Sequence, residues 1–185
     1  LHQMFYPFSE FFGKIKALEA SFVDDQLQGE VAEYNRAGTK VSSTFYDRGR
    51  KEGIATIFTD QGRLKIAAEF HNDNQNGMAY DYYPTGAIKK QVLFVDDKKE
   101  GEEATFFPGG QRSSSTHYKN GELEGPSTRW NENGVITFEA NYSHGKPHGK
   151  FNKYDDEGKP VLLQTFDNGT LIDKKKFDND RNSGE

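Results

Sequence analysis

Tyr118-Lys-Asn-Gly-Glu-Leu-Glu-Gly-Pro-Ser-Thr-Arg-Trp-Asn-Glu-Asn-Gly134 sets one short strand between two turn signals. Asn120-Gly121 is a two-residue hairpin signal, and the polar tetrad Asn131-Glu-Asn-Gly134 ends on a glycine, which reaches positive φ at no steric cost. Between them, Gly125 leads in five steps to Trp130. Ile136, Phe138, Ala140 and Tyr142 then alternate, the period of two that marks a half-buried strand. His144-Gly145 turns the chain again. The stretch predicts a β-hairpin, with the ring of its first strand and the alternating face of its second meeting on one side of a sheet.

The pattern recurs every 24 residues. Gly29, Gly53, Gly77, Gly101, Gly125 and Gly149 form one column, and Gly38, Gly62, Gly86, Gly110, Gly134 and Gly158 follow nine residues later. Rings keep the same step: Tyr34, Phe58, Tyr82, Phe106, Trp130 and Tyr154 in one column, Phe22, Tyr46, Phe70, Phe94, Tyr118, Tyr142 and Phe166 in another. A fixed period of this length is the signature of a repeat architecture. The expected fold is all-β, an elongated single-layer ladder of antiparallel β-hairpins built from tandem 24-residue repeats.

Toward the N-terminus, Phe11–Phe22 reads as a strand rather than an amphipathic helix, because Gly13-Lys-Ile-Lys copies Gly86-Ala-Ile-Lys with one residue of slippage that a bulge absorbs. Phe5-Tyr-Pro7 echoes Tyr82-Tyr-Pro84 and Phe106-Phe-Pro108. The expected organisation is a degenerate partial repeat or cap over 1–21, six repeats over 22–166, and a capping half-repeat with a polar tail over 167–185. Asp25, Asp73 and Asp97 stand where other turns carry Gly49, Gly121, Gly145 and Gly169, so those three turns are expected to differ slightly in backbone geometry.

Composition narrows the function. The 185 residues are 33% hydrophobic, with 15 Phe, 9 Tyr and 19 Gly, a balance that suits a thin core of rings and tight turns. A net charge of -5 argues against nucleic acid as partner, since phosphate binding needs a basic face, and equally disfavours an anionic membrane. No cysteine is present, which removes disulfides, thiolate chemistry and Cys-ligated zinc. No apolar run approaches the roughly 20 residues of a membrane span. The opening Leu1 reads as a processed or trimmed end: export processing would place the protein in the periplasm or cell envelope, and otherwise it is expected in the cytoplasm.

The stretch Tyr118–Gly134, with Tyr142-Ser-His-Gly-Lys-Pro-His-Gly149 after it, closely resembles the MORN-variant repeat of bacterial proteins often labelled YwqK-type antitoxins. The resemblance covers roughly residues 13 to 173. It implies toxin neutralisation or immunity as a role, or, by analogy with eukaryotic MORN repeats, scaffolding and membrane attachment. It carries no catalytic residue.

Nothing in the residues requires an enzyme, and no cofactor is expected. His144 and His148 flank a turn without a third ligand. Asp24-Asp25 and Asp96-Asp97 lack the alternating oxygen ligands of a calcium loop and read as turn residues. Ser113, Ser114 and Ser115 lack a nucleophile-elbow context. Apolar residues outside the ring columns are more informative. Tyr83 and Phe107 follow their column rings, Ile57 and Phe151 fall in neighbouring strands, and Phe45 precedes Tyr46; alternation assigns them to a shared face, either an exposed protein-binding patch or a face buried by curling of the sheet or a folded-back terminal segment. The expected function is binding of a protein partner, foremost a basic toxin held by an antitoxin or immunity protein. A structural or adhesive scaffold of the cell envelope and a lipid-binding module are the alternatives.

Overall fold

The computed structural model describes residues 2–5 and 16–177, and these residues contain strands and turns with no helix. Seventeen strands follow in order: β1 His2–Phe5, β2 Lys16–Ala20, β3 Phe22–Val23, β4 Gln26–Leu27, β5 Gly29–Tyr34, β6 Lys40–Asp47, β7 Arg50–Phe58, β8 Leu64–His71, β9 Asn74–Tyr82, β10 Ile88–Val95, β11 Lys98–Phe106, β12 Arg112–Lys119, β13 Glu122–Trp130, β14 Ile136–Ser143, β15 Lys146–Tyr154, β16 Pro160–Asp167 and β17 Thr170–Lys176. Fifteen of them form one antiparallel layer in sequence order, and β3 and β4 pair as a separate small hairpin. The strand expected over Phe11–Phe22 is present as β2. Its first residues, and the Tyr6-Pro7 echo, lie outside the described residues, as does the tail Asp178–Glu185. By contacts the chain divides into unit 1, residues 1–88 with 94–97, and unit 2, residues 89–93 with 98–185.

Two kinds of turn alternate. At one margin, paired left-handed residues make type I′ turns: Arg48 (φ 48°) with Gly49 (φ 78°), Asn72 (48°) with Asp73 (70°), His144 (50°) with Gly145 (75°). This turn matches the right-handed twist of the flanking strands. Asp25, Asp73 and Asp97 have φ of 59°, 70° and 64°, against 75° to 88° at Gly49, Gly121, Gly145 and Gly169, so these turns differ slightly, as expected, within the same left-handed form. At the other margin, a type I turn closes on the second glycine column, as where Gly134 N–H donates to the Asn131 carbonyl at 3.0 Å with φ 78°.

Register explains the columns. Five rings of the Tyr46 column sit opposite a glycine of the first column, Gly29↔Tyr46 and Gly53↔Phe70 in unit 1, Gly101↔Tyr118, Gly125↔Tyr142 and Gly149↔Phe166 in unit 2, whereas Phe22 pairs with Leu27. Two bulges recur. One follows the type I turn: Trp130 pairs with Ile136 and Arg129 with Phe138, which leaves Thr137 over. The other holds the Glu-Gly pair: Thr44 faces Ala55 but Tyr46 faces Lys51, so Phe45 lies opposite the three residues Glu52–Ile54.

These bulges correct one expectation. The two ring columns do not meet on one side of the layer. In unit 2, Tyr154 lies with Glu139 and Asn152 on one face, while Phe138, Ala140, Tyr142 and Phe166 line the other. A bulge adds one residue and thereby switches the face of everything beyond it. The core is consequently a central strip of small residues, two-sided, with rings leaning over it. Ala32, Ala104 and Ala140 are buried, and Val92 is the largest fully buried side chain.

Candidate interaction surface

Within each unit the margins are sewn turn to turn. At the type I′ margin, the second residue of each turn donates its N–H to a carbonyl of the preceding repeat: Gly49 to Leu27 at 2.8 Å, Asp73 to Lys51 at 3.1 Å, Gly121 to Lys99, Gly145 to Leu123. Where aspartate replaces glycine, its carboxylate adds a bond back, accepting the N–H of Lys51 on Asp73 at 2.8 Å and of Gln75 on Asp97 at 2.7 Å. The residue before each first-column glycine also reaches across. Gln28, Glu52, Glu100 and Glu124 accept the N–H of Arg48, Asn72, Asn120 and His144 at 2.7 to 3.1 Å. At the other margin the Asn35 and Asn131 amides donate to the Asp60 and Asp156 carbonyls, both at 3.0 Å.

Polar groups on the faces are mostly satisfied in place. Glu30 accepts from Lys40 Nζ at 2.7 Å and Ser43 Oγ at 2.5 Å, and these bonds hold its carboxyl below the usual range. Three repeats on, Glu102 accepts from Ser115 and Arg112 in the same way, and its carboxyl is likewise lowered. Tyr154 Oη donates to Glu139 at 2.7 Å, and burial together with that bond pushes the phenol up. Two open grooves of about 510 and 450 Å³ share equivalent walls, Leu64, Tyr82 and Gly86 in one, Ile136, Tyr154 and Gly158 in the other. Among the described residues no three His, Asp or Glu side chains converge as metal ligands. His148 takes the place that Glu124 fills in the previous repeat, with Nδ1 at 3.5 Å from the Asn168 N–H and 3.4 Å from Asp167.

The sequence-derived candidates separate. Tyr83 and Phe107 are not strand residues but the first residues of type I turns, with N–H bonds to Ala87 and Gln111 and a proline next in each. Asn35, Asn131 and Asp155 occupy the same position and use a side-chain oxygen to brace the turn. Pro84 and Pro108 do this by fixing φ instead. Phe151 packs edge-on against Phe138, Tyr142 and Phe166 at 5.0, 6.1 and 5.4 Å, a brace of the ring column rather than an outlying side chain. Phe45 and Ile57 are both exposed, at 47% and 46%, on opposite faces, since Phe45 follows the Ser43↔Thr56 row and Ile57 pairs with Ser42. Alternation fails for the set because turns and bulges intervene between its members.

What sequence reasoning missed is Ile54, 57% exposed, beside Phe45. Its signal was its column, which holds Glu30, Ile54, Met78, Glu102, Pro126 and Lys150. Of the large apolar side chains exposed among the described residues, eight belong to unit 1 and only Leu171 and Ile172 to unit 2. Charge follows the same division. Unit 1 has nine Lys and Arg against fourteen Asp and Glu, whereas unit 2 has fifteen of each, so the whole net charge of -5 resides in unit 1.

None of the curated proteins matches the chain. Among solved structures, TarM is similar at 12% identity and a TM-score of 0.33, over 72% of this chain and 21% of that one. A mutant of S. aureus TarM in complex with Fondaparinux, alpha-GlcNAc-glycerol and UDP scores 0.32 at 11% identity, again over 21% of its length. The chain thus spans about a fifth of those proteins, and at such scores neither fold nor function transfers. Residues 123–144, the hairpin of β13 and β14 on whose period the other repeats are built, match the family described as the MORN repeat variant.

Proposed function

We propose that the chain is a protein-binding repeat module, without catalysis of its own, in which unit 1 is the recognition half. MORN repeats are in general protein- or lipid-binding modules. The observation that favours protein is the coincidence, in unit 1, of exposed apolar side chains with the entire net negative charge. An anionic lipid surface would repel that unit, whereas a basic protein would be steered toward it. The likeness of Tyr118–Gly149 to YwqK-type antitoxins supports a finer reading: the partner is a basic toxin, and binding occludes it.

Site-specific photo-crosslinkers at the exposed positions Asp47 of unit 1 and Lys150 of unit 2 test the broad reading in lysate of the source cells. A discrete protein adduct from position 47, with less from 150, is expected. Absence of protein adducts from both, with binding to anionic vesicles instead, would replace protein by lipid. For the finer reading, co-expression with the captured protein should restore growth that the captured protein alone suppresses; a captured protein harmless on its own removes the toxin.

A further inference from the structure

Four residues of unit 1 form a row that the repeat does not require. Phe45 of β6 lies opposite Glu52–Ile54 of β7, Ile54 pairs with Glu69 of β8, and Glu69 lies opposite Asn76–Met78 of β9. Ser43↔Thr56 and Ala67↔Tyr80 fix Phe45, Ile54, Glu69 and Met78 to one face. Each is two residues from a member of those pairs.

Three properties set the row apart. Phe45 and Ile54 are 47% and 57% exposed neighbours, which leaves apolar area open on a face that the fold does not cover. The Glu69 side chain is exposed and makes no hydrogen bond or ion pair among the described residues, whereas the carboxylate of Glu30, which pairs with Phe45, is already bonded by Lys40 and Ser43. The Glu69 side chain also lies close against the bare backbone of Gly77. A Cβ there would come within 2.1 Å of its Oε2 and 2.8 Å of its own Cβ, so the glycine leaves the room in which this carboxylate sits. In unit 2 the equivalent rows are Leu93, Glu102, His117 and Pro126, and His117, Pro126, Asn141 and Lys150; the first has its carboxylate already bonded by Ser115 and Arg112, and the second has no carboxylate.

We propose that this row binds an extended segment of a partner protein that carries a Lys or Arg between two apolar side chains. The cation pairs with Glu69, one apolar group rests on Phe45 and Ile54, and the other rests on Met78. This rests on the protein-binding reading and specifies its site and chemistry. Charge complementarity selects the occupant: an unpaired carboxylate between apolar anchors, in the unit that holds all the net negative charge, favours a basic segment and repels an acidic one.

The probe is a fluorescein-labelled peptide, Leu-Ser-Arg-Ser-Leu, whose two Leu and one Arg share a face when extended, titrated by anisotropy against the full chain, beside the counterpart in which the Arg is Glu. Binding of the basic peptide alone is expected, weakening as salt rises from about 0.05 to 0.3 M. Glu69→Gln and Ile54→Ser should each weaken it about tenfold, the scale of a binding hot spot. His117→Ala and Lys150→Ala should leave it unchanged. Both row substitutions fall on exposed side chains, and an unaltered urea midpoint confirms that the sheet is intact. Equal affinity of Glu69→Gln and Ile54→Ser with the native chain, equal binding of the acidic peptide, or no binding at all would each overturn the row. Protein adducts in the crosslinking experiment would then still stand for the broader reading, and their absence would sink that reading separately.

Discussion

Replacing Glu124 with Ala tests whether the carboxylates that reach from one repeat to the next hold the layer together. Glu124 Oε2 accepts the His144 N–H at 2.7 Å, and this N–H belongs to the first left-handed residue of a type I′ turn. The amide has water as an alternative partner, so the loss is the net value of a hydrogen bond, about 0.5–1.5 kcal/mol, with the charged acceptor favouring the upper half. In a chain of this size the melting temperature should fall by about 2–4 °C per kcal/mol. Glu124→Gln should stay near the native value, because Gln28 performs the same task for Arg48 at 3.1 Å. Urea unfolding gives the stability, and amide exchange at His144 gives the local effect, expected to quicken in Glu124→Ala alone. Unchanged exchange at His144, or a glutamine as damaging as the alanine, would refute the reasoning.

Gly145→Val places a branched side chain at φ 75° and should cost about 1–2 kcal/mol, read from the urea midpoint. Gly121→Asp should be close to neutral, since Asp73 and Asp97 adopt the same left-handed form and gain a bond to the preceding repeat. Phe151→Ala removes three ring contacts from a half-buried site and should cost about 2 kcal/mol by the same assay. Acid should weaken the fold through Glu30 and Glu102. Their carboxyls are lowered in the folded chain, so the stability they contribute is complete above the ordinary Glu value of 4.5 and is lost as pH falls below it. The unfolding midpoint measured from pH 6 to 3 should therefore decline less steeply in Glu30→Gln and Glu102→Gln.

The hairpins were legible because glycine and ring columns report backbone geometry directly: a type I turn needs its glycine at Gly134, and Gly125 stands opposite Tyr142. Face assignment was not legible. Counting by twos from Trp130 to Phe138 assumes an unbroken strand, and the leftover Thr137 reverses the parity. The same arithmetic displaced Tyr83 and Phe107, which stand just past a strand end. The acidic residues before the glycine column gave no signal of their role, because their partners, backbone N–H groups 20 residues away, leave no mark of their own in a sequence. Ile54 and Glu69 were visible only by asking which column entries break the column.

Turn-to-turn stitching bears on how the chain can go wrong. A two-residue slip keeps every side chain on its face and most ladder bonds intact, so strand pairing alone resists it weakly. It would, however, pull Gly145 away from Leu123 at the type I′ margin and Asn131 away from Asp156 at the other, and both margins would open. Skipping a whole unit is different. Every repeat offers the next turn an equivalent carbonyl, so a chain that loops out 24 residues could close both margins again. Against that error the columns are blind, and only positions outside them, Glu30 and Ile54 or Glu69 and Leu93, distinguish one unit from its neighbours.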